Sequence, residues 1–119
     1  MKRKLLLIVF TNDACKRNHA FMYAIDLAQH GHDIRLIMEG EGTRSLLERE
    51  GRFGELFEKV RALGLIAGLC RTASSSGCGD ASRSVARLAE EAGLPLLDSL
   101  DGHAGIAPFV EDGYELVVF

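Results

Sequence analysis

Two continuous apolar runs, Leu5-Leu6-Leu7-Ile8-Val9-Phe10 and Leu65-Ile66-Ala67-Gly68-Leu69, constrain the fold of this chain more than any other feature. A half-exposed strand or a surface helix needs polar residues at regular intervals. A run of five or six residues without one, bounded by polar turn residues, is a strand buried on both faces, which is what parallel sheets contain. Between the runs the period changes to that of a helix. Phe21, Ala24, Ile25 and Ala28 share one face of residues 18–30, and Gly31 stands where a C′ glycine ends a helix. Residues 34–38 read as a second strand. Residues 43–50 read as a short helix with a Ser45/Glu48 capping box, and residues 53–63 as a helix with the stripe Phe53, Leu56, Phe57, Val60. Beyond the second run, 71–79 reads as a small, polar loop and 82–92 as a helix. Then follow a strand at 94–97, a short helix at 104–111 and a fifth strand at 114–119. Strands alternating with helices through short loops predict right-handed βαβ units on a five-stranded parallel sheet, an α/β fold.

With 119 residues, 47% hydrophobic and 26% charged, the chain is predicted to be a single domain over 1–119, able to bury a core without disulfides or structural metal. A net charge of -3 supplies no strong basic field, which argues against nucleic acid and anionic membranes as partners. Three cysteines, an odd number, read as a reducing compartment. Met1-Lys2-Arg3-Lys4 and the following apolar run imitate a signal peptide, but the run is short and ends at Thr11-Asn12-Asp13 without a small-residue cleavage site. No stretch approaches the roughly 20 apolar residues of a membrane helix. The expected location is the cytoplasm.

Open parallel sheets bind ligands at the carboxyl ends of their strands. Those ends fall at 11–17, 39–43, 70–80 and 98–103. Cys15, Cys70, Cys78, His19 and His103 lie in or next to these segments. Cys70 is the sharpest candidate: it ends a buried strand and enters a serine- and glycine-rich loop. Arg71 and the loop residues Ser74, Ser75, Ser76 and Gly77 are expected to stabilise its thiolate, the reactive form. The plain alternative is that a cysteine at a strand end is a small core hydrophobe. Cys78 reads equally well as a resolving thiol or as an ordinary loop residue. Asn12, Asp13, Cys15, His19 and His103 are further pocket candidates.

Spacing removes several familiar sites. A low-molecular-weight phosphatase loop needs arginine six positions after its cysteine, and those positions hold Ser76 and Ser84. Cys78 and Arg83 have the rhodanese offset, yet Ala81 stands where that loop has glycine. No G-x-G-x-x-G, Walker or G-x-S-x-G motif occurs. Metal is the main structural alternative: Cys15 and His19 share a helix face, and Cys70, Cys78 and His103 are further donors. Without any C-x-x-C pair, the reading assigns no metal and no cofactor.

Residues 6–13, 24–33, 64–70, 93–98 and 113–119 together resemble the DsrE/DsrF-like sulfur-relay family of TusD and YchN type, over nearly the whole chain. The segments that carry the likeness include Gly31-His32-Asp33, Gly93-Leu94-Pro95-Leu96-Leu97-Asp98 and Gly113-Tyr114-Glu115-Leu116-Val117-Val118-Phe119. The resemblance implies a three-layer α/β/α sandwich and a homo-oligomer, a trimer or hexamer. It also implies a persulfide on Cys70 that is passed to a partner, with sulfur donor and acceptor proteins as partners. Where related proteins carry a second cysteine three positions on, this chain has Ala73. Two functions follow as expectations. One is a sulfur carrier using Cys70, with Cys78 releasing the sulfur by exchange. The other is a non-catalytic oligomeric module holding a small anion, a metal or a partner peptide at the strand edge. A carrier's thiol is expected to ionise well below the usual value of about 8.5.

Overall fold

The two apolar runs become the two strands that flank the middle strand of a sheet. In the structure, a computed structural model describing residues 1–75 and 84–119, the first run forms β1 (Lys4–Val9) and the second forms β3 (Ile66–Cys70). β2 (Asp33–Met38) lies between them, β4 (Leu96–Leu97) pairs with β3, and β5 (Glu115–Val118) pairs with β1. All pairings are parallel and the strand order is β4-β3-β2-β1-β5.

Handedness then decides where the helices go. The chain steps from β1 to β2, β3 and β4 in one direction. Right-handed crossovers therefore place α1 (Ala14–Gln29), α2 (Gly51–Ala62) and α4 (Val85–Glu91) on one face. The return from β4 to β5 runs the opposite way and puts α5 (Ala107–Glu111) on the other face. The result is an α/β/α arrangement of unequal layers. The first face carries the larger core: Leu5, Leu7 and Val9 of β1 and Leu36 and Met38 of β2 pack on Phe21, Ile25, Phe53, Phe57, Val60, Val85 and Ala89. Phe21 and Phe53 meet edge to face with centroids 5.0 Å apart. The second face holds a small cluster of Leu6, Ile8, Ile37, Cys70, Ala104 and Tyr114, with Phe109 of α5 and Ala73 beside it. Among the described residues no helix is long and apolar enough to cross a membrane.

Two local expectations change. Helix α1 begins at Ala14 rather than near residue 18, because the Asp13 carboxylate accepts the Lys16 N–H at 3.0 Å and caps it. The Ser45/Glu48 capping box does not form. The chain there is a 3₁₀ segment (Gly40–Glu48) capped by Glu39. It runs so close to β1 that a Cβ on Gly42 would sit 2.1 Å from the Val9 carbonyl oxygen. Ser45 is thereby buried and donates to Asn12 Oδ1 at 3.1 Å, while Glu48 pairs with the buried Arg17 at 3.1 Å. The polar stretch after β3, expected to be a loop, starts with a short helix, α3 (Arg71–Ser75). The expected positions Ser76, Gly77 and Cys78 lie outside the described residues.

Candidate functional site

Parallel register brings the first two functional side chains together. Met38 of β2 pairs with Leu69 of β3, so the next residues, Glu39 and Cys70, leave neighbouring strands side by side. Alternation sends Leu69 to the larger core and Cys70 to the thinly covered face, where Cys70 is 0% exposed. Glu39 is half-buried and is oriented by the Gly40 N–H, which donates to its Oε1 at 2.9 Å.

The third group arrives on a turn. Leu100-Asp101-Gly102-His103 is a tight hairpin: the Leu100 N–H donates to the His103 carbonyl at 2.9 Å, and the His103 N–H to the Leu100 carbonyl at 2.8 Å. Asp101 (φ 50°) and Gly102 (φ 87°) both take positive φ, as the two central residues of a type I′ turn must. The Gly102 carbonyl accepts from the Thr72 N–H at 3.0 Å and the Thr72 hydroxyl at 2.6 Å, which ties the turn to α3. His103 thus places Nδ1 3.4 Å from Cys70 Sγ. The Ala73 N–H also points at that sulfur, at 3.4 Å. One ligating atom each from Glu39, Cys70 and His103 lie within 4.8 Å of one another, and His103 is the exposed member.

The electrostatics run against the expectation of an easily ionised thiol. Burial pushes the Cys70 thiol upward, and a hydrogen bond to the Glu39 carboxylate with that carboxylate's negative charge pushes the same way. The Ala73 and Ala104 backbone groups oppose the shift without reversing it. Arg71 was expected to lower it, but its guanidinium is paired with Asp98 at 3.0 Å, both side chains about half exposed. At neutral pH Cys70 is therefore a protonated thiol, with the side chains of Glu39 and His103 beside it.

The other expected residues occupy different places. Ser74 is buried on α3 and its hydroxyl has no partner among the described residues, whereas Ser75 is exposed. Asp13 and Asn12 serve the local structure described above. Cys15 and His19 sit on the exposed side of α1, with Sγ and Nδ1 3.6 Å apart and His19 Nδ1 also 2.7 Å from the Cys15 carbonyl. They belong to a separate surface pair. Glu39 was not singled out from the sequence, although it is the acidic residue that ends β2 beside Cys70. The Asp101-Gly102 dipeptide, a type I′ signal, marked the turn that carries His103.

No protein-family profile matches the chain, and no solved structure matches it. Over 43 residues it is 37% identical to an uncharacterized protein of Archaeoglobus fulgidus, an alignment spanning 36% of this chain and 70% of the archaeal one. Identity at that level over most of the relative's length places this chain in the same family as that archaeal protein.

Proposed function

We propose that the chain is a sulfur carrier of the DsrE/DsrF-like relay type, with Cys70 accepting a sulfane sulfur and passing it to a partner protein. The observation that supports this reading is the 3.4 Å approach of His103 Nδ1 to a buried cysteine at a strand end, with the Ala73 N–H on the same sulfur. As a donor persulfide R–S–SH arrives on the His103 side, the imidazole takes the thiol proton. Cys70 Sγ attacks the terminal sulfur and forms a new S–S bond. The donor S–S bond breaks, and R–S⁻ leaves with the proton held by His103. The products are Cys70–S–SH and R–SH, with no net oxidation. An acceptor thiolate reverses the same chemistry on the other side of the relay.

The resemblance also implies a homo-oligomer. The edge strand β5 leaves Leu116, Val117 and Val118 exposed, as is Val110 on α5, and this supports a second copy packing there. Light scattering on the purified chain tests it: a monomer at all concentrations removes the oligomer from the proposal.

Intact-mass spectrometry after exposure to a cysteine desulfurase and cysteine tests the carrier itself. Wild type and Cys78→Ser are expected to gain one sulfur and Cys70→Ser none. An equal gain in Cys70→Ser sinks the assignment.

A further inference from the structure

We propose that Glu39, Cys70 and His103 form a binding site for a divalent zinc ion, with three protein ligands and a fourth position open on the His103 side. The three groups come from the ends of three consecutive strands or the turn that follows, and together they supply one sulfur, one nitrogen and one oxygen donor. Tetrahedral zinc with Zn–S of about 2.3 Å and Zn–N of about 2.0–2.1 Å holds those two donors about 3.6 Å apart. Cys70 Sγ and His103 Nδ1 are 3.4 Å apart, so an ion can enter with small side-chain movements.

Charge favours the same conclusion. A thiolate and a carboxylate side by side repel each other, whereas with a neutral imidazole and a divalent cation the set is neutral overall. Donor softness then chooses the cation: thiolate and imidazole favour zinc and disfavour magnesium and calcium. Each ligand also has its outer support. The Gly40 N–H holds one Glu39 oxygen at 2.9 Å and the Ala73 N–H points at the sulfur. The Thr72–Gly102 bonds fix the turn that presents His103. Exposure of His103 leaves room for water or a small anion as the fourth ligand.

This inference does not depend on the sulfur-carrier reading, and the two compete for one sulfur atom: a zinc-bound Cys70 has no free thiol to accept sulfane sulfur. The test is titration of the metal-free full chain with zinc against a chromophoric chelator, and with cobalt(II) to detect thiolate-to-cobalt charge transfer. We expect one zinc per chain and a charge-transfer band that is absent from Cys70→Ser. Glu39→Gln and His103→Ala are expected to weaken binding by at least the roughly 10–100-fold typical of losing even an outer-shell partner. His103 is exposed, so His103→Ala is expected to keep the circular dichroism of wild type and reports on binding without unfolding. Cys15→Ser is expected to change nothing. Absence of stoichiometric binding overturns the site, as does a cobalt band that survives in Cys70→Ser or depends on Cys15. The sulfur gain measured on metal-free protein is scored separately, so failure of either reading leaves the other visible.

Discussion

Among the described residues two cysteine–histidine pairs have nearly equal separations, 3.6 Å for Cys15 and His19 and 3.4 Å for Cys70 and His103. The first is formed by residues four apart on one exposed helix face. Its members meet because the helical repeat makes them neighbours, and His19 is already engaged by the Cys15 carbonyl. The second joins residues 33 apart in sequence, on a strand end and a hairpin turn. There the sulfur is buried, a backbone N–H points at it, and a carboxylate stands beside it. Distance alone does not separate the pairs. What differs is the surroundings: water screens and solvates the first, while the second sits where a change in charge on one group must be answered by its neighbours.

The largest expected contrast is in thiol accessibility. In a Cys78→Ser background at neutral pH, iodoacetamide should label Cys15 at least about 100-fold faster than Cys70, because each unit by which a thiol's pKa is raised costs about tenfold in thiolate and burial requires local opening as well. Peptide mass spectrometry over time reads the ratio, and equal rates would remove the distinction. Next comes Gly102→Ala. It forces an alanine into φ 87° and sets its Cβ 2.7 Å from Thr72 Oγ1. The expected loss is roughly 1–3 kcal/mol in urea unfolding, with reduced sulfur gain as the His103 turn moves. A variant as stable and as active as wild type would mean that the turn does not position His103.

The pH dependence sharpens the comparison further. Since Cys70 titrates above its unfolded value, the native chain keeps the thiol proton after the unfolded chain has lost it. This contribution to stability is fully present below about pH 8.5 and declines as pH rises through the folded value. The slope is at most about 1.4 kcal/mol per pH unit for one proton. Denaturation at stepped pH should show this alkaline decline in wild type and Cys15→Ser, and a shallower one in Cys70→Ala. Replacing the carboxylate acts more gently. Glu39→Gln removes an influence that raises the thiol, so alkylation of Cys70 at neutral pH should speed up by about 2–10-fold, tenfold being one unit of pKa. A slower reaction would show that Glu39 assists ionisation instead. Smallest of all, His19→Ala should change stability by less than about 0.5 kcal/mol, as a surface substitution. A larger loss would give the helix pair a structural weight that its exposure does not suggest.

Which features could be read from the chain follows from how local each one is. The runs at 5–10 and 65–69, the α2 stripe of Phe53, Leu56, Phe57 and Val60, and the stop at Gly31 are written in consecutive residues. They appear nearly where the pattern places them. The short helix after β2 is legible as a helix, but its 3₁₀ form and its Glu39 cap are not, because its conformation depends on Gly42 lying against the Val9 carbonyl, a contact between segments distant in the chain. Cys70 was legible as a thiol at a strand end, and His103 as a residue near the same edge. Glu39 was not, since its relevance comes from the pairing of Met38 with Leu69.

By itself, then, the sequence determined the α/β class, the alternation of helices with buried strands and the edge of the sheet where chemistry-bearing residues collect. All of these rest on hydrophobic period and on the handedness of crossovers, which short stretches of L-residues impose. Only the tertiary structure decided which cysteine meets which histidine, that a carboxylate joins them, and that the thiol is harder rather than easier to ionise. The physical reason is that register, burial and electrostatic surroundings are properties of segments brought together from about thirty residues apart, and no local pattern records them.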